Sequence, residues 1–312
     1  MTLWLGLAMI AACEALLFAD VRLSNRGAVQ SSADLEELCS HRFEGSFRSL
    51  ARYVAFNITP LAWLGYIVFL EGALKWQSGT SPVRRRPNHF ALLALASVFI
   101  WCVFDAINFW AGMRAWEYIG MPPRFSQRIS GYLLSFATIV PGMLMTGQVL
   151  LNIGCFDWAR SPRWRMPRWA KWLALLAGVA MFTWPLVHPT PATSLTVWTS
   201  LVFFLDPINQ KLKRPSMFSD WQNGWYGRTL AAATGGLICG LLWEFWNYWA
   251  LTKWIYHLPF LGSLEDYRYF QMPVLGLIGF IPFGIECWVM WQTIRIPLDG
   301  LVEPLPCDRD LL

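Results

Sequence analysis

Two short patterns in this 312-residue chain hold the side chains best suited to chemistry. Asp105 and Asn108 stand in "VFDAINFWAGMRAWEYIGMP", and Glu244 and Asn247 stand in "LLWEFWNYWALTKWIYHLP". Each acid precedes an amide by one helical turn, and each pair sits among indoles and phenols. Trp101, Asp105 and Asn108 follow i, i+4, i+7 spacing and share one helix face, and Gly240, Glu244 and Asn247 repeat that face. A carboxyl in surroundings of low dielectric keeps its proton near neutral pH and can donate it. Tryptophan faces stabilise a transient carbocation through cation–π attraction. This combination suits protonation or isomerisation of an alkene in an isoprenoid or another lipid chain. The opposing expectation is that the same groups hydrogen-bond one another and fasten helices together.

The elements that must position these residues are membrane helices. The chain is 55% hydrophobic and 14% charged, against roughly 25% charged in an average soluble domain, and its mean hydropathy is +0.37. Eight windows are apolar and long enough to cross a hydrocarbon core of roughly 30 Å: 2–19, 54–76, 89–111, 129–153, 169–188, 192–209, 229–251 and 270–294. The expected fold is therefore an all-α polytopic membrane protein with eight transmembrane helices. The first window lacks a basic lead and a cleavage site, and it reads as a retained helix.

Lysine and arginine set the expected orientation, because cation-rich loops stay cytoplasmic. Lys75 with Arg84–Arg86, the stretch "RSPRWRMPRWAK", and Lys211, Lys213, Arg214 and Arg228 follow the second, fourth and sixth windows. That pattern predicts a bacterial-type inner (plasma) membrane protein, multi-pass, with both termini cytoplasmic. Residues 20–53 break it, with five arginines on the opposite side offset by five acids. Within them "SSADLEELCSHRFEGSFRSLARYVAF" has the spacing of an amphipathic helix lying along the interface or within a loop.

The chain also repeats itself. Asp105 aligns with Glu244, Asn108 with Asn247, Trp110 with Trp249, Trp116 with Trp254 and Tyr118 with Tyr256. Upstream, "VFLE" matches "VFFLD" and pairs Glu71 with Asp206; downstream, Pro141 matches Pro282. Residues 1–158 are expected to form one four-helix repeat carrying the insertion 20–53, and residues 159–312 a second with a C-terminal tail. Copies separated by four crossings share one orientation and face each other across an axis along the membrane normal.

Intramembrane carboxylates are costly, so those retained line cavities or pair with neighbours. Glu14, Glu71, Asp105, Asp206, Glu244 and Glu286 fall in or at the rims of the windows. Rising about 1.5 Å per residue from His89, Asp105 lies about 24 Å up, toward the outer side, and Glu244 reaches a similar level. The expected catalytic residues are Asp105 and Glu244. Trp101, Asn108, Trp110, Tyr118, Asn247, Trp249, Trp254 and Tyr256 are the expected substrate contacts. Glu286 follows Pro282, but its counterpart is Met145, so any role is one-sided. Glu71 and Asp206 sit near cytoplasmic ends, where capping explains them.

The carboxylate followed by Trp-x-Tyr in each half, and "SLEDYRYFQMP" at 263–273, resemble the repeated helical unit of the heterodimeric or bacterial/fungal-type lycopene cyclases of carotenoid pathways. The signature of that family, Pro-x-Glu-Glu, appears here as Ser263-Leu264-Glu265-Asp266. The resemblance implies Glu265 and Asp266 as an acid pair for cyclisation. The first half has no acid at the matching place, and proline is replaced by Ser263.

Other classes fit poorly. A net charge of +5 spread over loops beside tryptophans points to anionic headgroups, not nucleic acid. Seven cysteines without Cys-x-x-Cys spacing and four scattered histidines offer no metal or haem site. The expected partner is a membrane lipid or another hydrophobic small molecule, with no cofactor. The leading reading is an acid-catalysed cyclase, isomerase or hydratase. A transporter or lipid/proton carrier, and a tryptophan-rich subunit binding lipid, pigment or quinone, are the alternatives.

Overall fold

The computed structural model describes residues 1–40, 45–298 and 311. It is helical almost throughout, and seven stretches among the described residues are long and apolar enough to cross a membrane. They are α1 (Thr2–Leu23), α3 (Ser46–Ser78), α5 (Pro87–Phe109), α6 with α7 (Phe125–Phe136 and Ile139–Asn152), α8 (Arg168–Val187), α11 (Gly227–Tyr248), and the 3-10 turn Val274–Gly279 running into α12 (Phe280–Ile294). The chain is thus a multi-pass helical membrane protein.

The one remaining expected span, 192–209, is also helical, as α9 (Ser194–Lys211). It falls outside the seven because it ends in Asp206, Pro207, Asn209, Gln210 and Lys211, a polar run that lowers its hydropathy. Short helices α2 (Ser32–Ser40), α4 (Pro82–Arg85) and α10 (Met217–Gln222) fill the connections. The expected amphipathic helix at 31–56 is present only in part. Ser32–Ser40 forms α2, residues 41–44 lie outside the described residues, and from Ser46 onward the chain already belongs to α3. The tail of the expected second repeat, 299–310 and 312, also lies outside the described residues.

α1 and α8 are the outermost elements. α1 packs on α3 and α8 on α9, while Trp4 and Leu5 of α1 and Trp172, Leu173 and Leu176 of α8 face outward, toward lipid. Between them α3, α5, α7, α9, α11 and α12 form the core, where Trp63, Trp288 and Trp291 are fully buried. Lipid tails are as apolar as leucine, so helices here associate through close packing. The crossing of α11 and α12 depends on it: a Cβ on Gly236 would meet Gly284 Cα at 2.8 Å.

Two features of the backbone set up the site. Asn57 leaves helical geometry (φ −120°, ψ 16°) three residues before Pro60, and the kink in α3 lets the Ala55 carbonyl accept the Leu251 N–H at 2.9 Å. After α5 and after α11 the chain leaves the helix and returns as a strand, β1 (Trp116–Ile119) and β2 (Lys253–Tyr256). These pair antiparallel, Trp116 opposite Tyr256 and Tyr118 opposite Trp254. Side chains alternate along a strand, so one face of the ribbon presents two tryptophans and two tyrosines.

Candidate functional site

The ribbon is held by the residues that the sequence singles out, and the same bonds occur around each strand. Asn108, at the end of α5, donates to the Trp116 carbonyl at 2.7 Å and accepts from the N–H groups of Ala115 (2.8 Å) and Trp116 (3.3 Å). Asn247, at the end of α11, donates to the Trp254 carbonyl at 2.8 Å and accepts from the Trp254 N–H at 3.0 Å. One turn earlier, Asp105 accepts from Tyr118 OH (3.0 Å) and Trp116 Nε1 (3.1 Å). Glu244 accepts from Tyr256 OH (3.1 Å) and Trp254 Nε1 (3.4 Å).

The parallel extends to the far ends of the helices. Glu71 accepts from Ser81 Oγ and from the Val83 N–H at the start of α4. Asp206 accepts from Ser216 Oγ (3.0 Å) and the N–H groups of Met217 and Phe218 (both 2.8 Å) at the start of α10. Both carboxylates cap the first turn of a short helix, where free N–H groups attract negative charge.

Beneath the ribbon lies a cavity of about 530 Å³, inside the range of roughly 300–1,000 Å³ usual for small-molecule sites. Trp116, Tyr118, Trp254 and Tyr256 line it from the ribbon. Trp101 of α5, Tyr132 and Phe136 of α6, Trp198 of α9, Trp243 of α11 and Phe280 and Phe283 of α12 complete the aromatic wall. The rings interlock: Trp198 stands 5.0 Å from Phe104 and 5.2 Å from Phe283, and Trp116 stands 5.9 Å from both Trp101 and Trp198. Phe56, Asn57 and Pro60 at the α3 kink and Leu275, Gly276 and Gly279 in the turn before α12 border it elsewhere.

The expected site residues therefore divide. Trp101, Tyr118, Trp254 and Tyr256 line the cavity. Asp105, Asn108, Glu244 and Asn247 stand one layer behind, bonded to the groups that do. Trp110 is 89% exposed just past the end of α5, and Trp249 lies outside the cavity with its carbonyl accepting from Arg26 Nη2 at 3.0 Å. Both indoles are set outside because the helix ends before them and the chain turns toward the ribbon. Glu265 accepts from the Leu258 N–H and from Arg268, Asp266 is exposed, and neither lines the cavity. Glu286 is fully buried between α12 and α9, where Oε1 accepts the Leu201 N–H at 2.9 Å. Its Oε2 has no hydrogen-bond partner among the described residues.

Electrostatics favour neutral donors at the ribbon. Burial, followed by the nearby Asp105 or Glu244, pushes the phenols of Tyr118 and Tyr256 well above their ordinary value, so both hydroxyls keep their protons. Lys253 was not anticipated as part of this region. It is buried at the start of β2, borders the cavity, and donates to the carbonyls of Tyr248 (2.8 Å) and Val29 (3.0 Å). Burial pushes its amine down to about 7; Arg26 acts in the same direction and Glu244 against it. A lysine in "WALTKWIYH" gives no local sign that it points inward. Trp116, already aligned with Trp254, was the missed wall residue most open to detection.

Among the described residues no three His, Cys, Asp or Glu side chains gather as a metal site. No protein-family model matches the chain, and neither a curated protein nor a solved structure matches it. The geometry can hold an apolar molecule against aromatic rings, beside two phenols whose hydroxyls are bonded to carboxylates.

Proposed function

We propose that this protein binds an isoprenoid or similarly unsaturated lipid chain in the aromatic cavity and rearranges it by acid catalysis, as a cyclase or isomerase without a cofactor. The observation that carries this reading is the ribbon face itself: two tyrosines line a cavity walled by indole rings, and the hydroxyl of each is bonded to a carboxylate from the helix behind. In its acid form Glu244 passes a proton to the Tyr256 oxygen as Tyr256 delivers its own to an alkene carbon. The cation so formed rests against Trp116, Trp198 and Trp254. It then loses a neighbouring proton back to the ionised unit, so no co-reactant is consumed. The Asp105–Tyr118 pair forms the matching second unit. The resemblance to the lycopene cyclase repeat supports an isoprenoid substrate, although the chemistry proposed here runs through Asp105 and Glu244 and leaves Glu265 and Asp266 out.

The same proposal includes the architecture: eight spans in two tandem four-helix repeats of one orientation, in a bacterial inner membrane with both termini cytoplasmic. The matched bonds around Asn108 and Asn247, Asp105 and Glu244, and Glu71 and Asp206 support the repeat. Mass spectrometry of lipids retained after gentle purification tests the reading. An unsaturated apolar lipid should co-purify with wild type, and Asp105→Asn with Glu244→Gln should keep it bound but unconverted. Absence of any retained apolar lipid, or identical lipid products in wild type and mutants, would overturn it. A lipid or proton carrier is the second reading, favoured by the non-helical backbone at Asn57 and the 3-10 turn at Val274–Gly279 on the cavity border. Uptake into sealed vesicles that follows a pH gradient would select it.

A further inference from the structure

The connection between α7 and α8 lies away from the cavity and carries a different chemistry. From Cys155 to Trp172 it contains Arg160, Arg163, Arg165, Arg168 and Lys171 against a single acid, Asp157. All four arginines are exposed, and none of the five cations forms an ion pair with a described residue. Interleaved with them, Trp158 is 75% exposed, Trp169 67%, Trp172 63% and Trp164 40%.

A loop of this composition would ordinarily wave in solvent, but this one is fastened along its length. The Ser161 N–H donates to the Gly224 carbonyl at 2.9 Å, and the Tyr226 N–H donates to the Ala159 carbonyl at 3.0 Å. The Trp164 and Met166 N–H groups donate to the backbone and side-chain oxygens of Gln222, each at 3.1 Å. Gly224 makes this approach possible. Its φ of +76° lies in the left-handed region, and a Cβ there would run into the Ser161 carbonyl. The fastened loop leads directly into the first turn of α8, a helix whose apolar window is only 11% buried in protein and continues into lipid.

Arg160 Nε donates to the Asp157 carbonyl at 3.2 Å, which leaves the other N–H groups of its guanidinium available. Guanidinium groups free of ion pairs bind phosphate oxygens through paired hydrogen bonds, and indoles settle at the level of lipid headgroups. We propose that residues 158–172 form a preorganised seat for acidic phospholipid headgroups on the membrane surface where α8 begins. The seat differs from scattered loop charge because its backbone is set before any lipid arrives.

The test uses the full-length protein in mild detergent, titrated with phosphatidylglycerol or phosphatidylcholine, with bound lipids counted by native mass spectrometry. Wild type should bind phosphatidylglycerol about tenfold more tightly than phosphatidylcholine, given the attraction of basic clusters to anionic lipid. The combined variant Arg160→Gln, Arg163→Gln, Arg165→Gln, Arg168→Gln should lose that preference, while Arg84→Gln with Arg85→Gln, which removes cations from another connection, should keep it. Gly224→Ala leaves every charge in place and should weaken phosphatidylglycerol binding several-fold by unfastening the loop. Equal binding of the two lipids by wild type, or a preference that survives the four glutamines, would overturn the proposal. So would a Gly224→Ala protein that binds as wild type does, because charge without the fastened backbone would then suffice.

Discussion

The strand that follows α5 and the strand that follows α11 are supported by the same kinds of bond, yet their supports are used to different degrees. On the α5 side, both Asp105 oxygens face Tyr118 OH (3.0 and 3.3 Å), and the Tyr118 oxygen also accepts from Trp101 Nε1 at 3.0 Å. On the α11 side, Gly240 stands where the first half has Trp101, so the helix behind Tyr256 supplies no indole at that place, and Glu244 Oε2 is buried with no hydrogen bond of full geometry among the described residues, the Met272 N–H acting on this carboxyl only weakly. A buried polar atom left unpaired is costly, and such atoms persist where they have something to do. The first unit therefore reads as a completed brace, and the second as one with a free position.

That difference can be broken or sharpened experimentally. The largest effect is expected at the free position. Glu244→Gln should slow lipid conversion on the order of 10²-fold or more, with Asp105→Asn less severe; equal losses in assays of lipid products would erase the distinction. Stability should show the opposite order. Asn108→Ala removes three hydrogen bonds and Asn247→Ala two, so denaturation in detergent should report losses of about 3 and about 2 kcal/mol.

A subtler contrast comes from Lys253, which occupies the place held by Ala115 in the first half. Its native value of about 7 lies below the ordinary 10.5, so between those values the unfolded chain holds more protons than the folded one. Stability should consequently rise with pH from about 7 to about 10.5, with no slope from this group below that window. Melting curves of Lys253→Met should lose this rise. The smallest effect is expected outside the ribbon, where His257 Nε2 meets Glu117 at 3.0 Å with both side chains about half exposed. Glu117→Gln should change stability by less than about 1 kcal/mol.

Much of this arrangement could be read from residue order, and the exceptions share a cause. The windows around each apolar run were legible because membrane helices signal themselves by composition over twenty residues. Pro60 did not end its helix, and α3 begins at Ser46, well before its apolar part, because amphipathic turns can extend a span into the interface. The four-residue strands were harder. "WEYI" and "KWIY" are rich in aromatic and branched residues that favour strands, but a segment that short becomes a strand only beside its partner, and the partner of Trp116 is Tyr256. The carboxylate and amide positions stand out along the chain, yet their depth relative to the cavity does not. Side chains on one helix face were expected to open on a common space, whereas the returning ribbon lies between them and it. The contributions of Tyr132, Trp198 and Phe283 depend on which helices meet, which spacing along one helix does not encode.

The ladder sets Glu117 opposite Ile255 between two Trp–Tyr pairs, and the order of these three pairs reads alike from either strand. A half-length polypeptide ending after α7 could dock against a second copy of itself with Trp116 opposite Tyr118 and every amide still matched. Such a homodimer would set two Glu117 carboxylates face to face at the midpoint. In the present chain isoleucine stands opposite Glu117 there, and no such repulsion arises. Severed fragments of the present protein, co-expressed, should reassociate for the same reason.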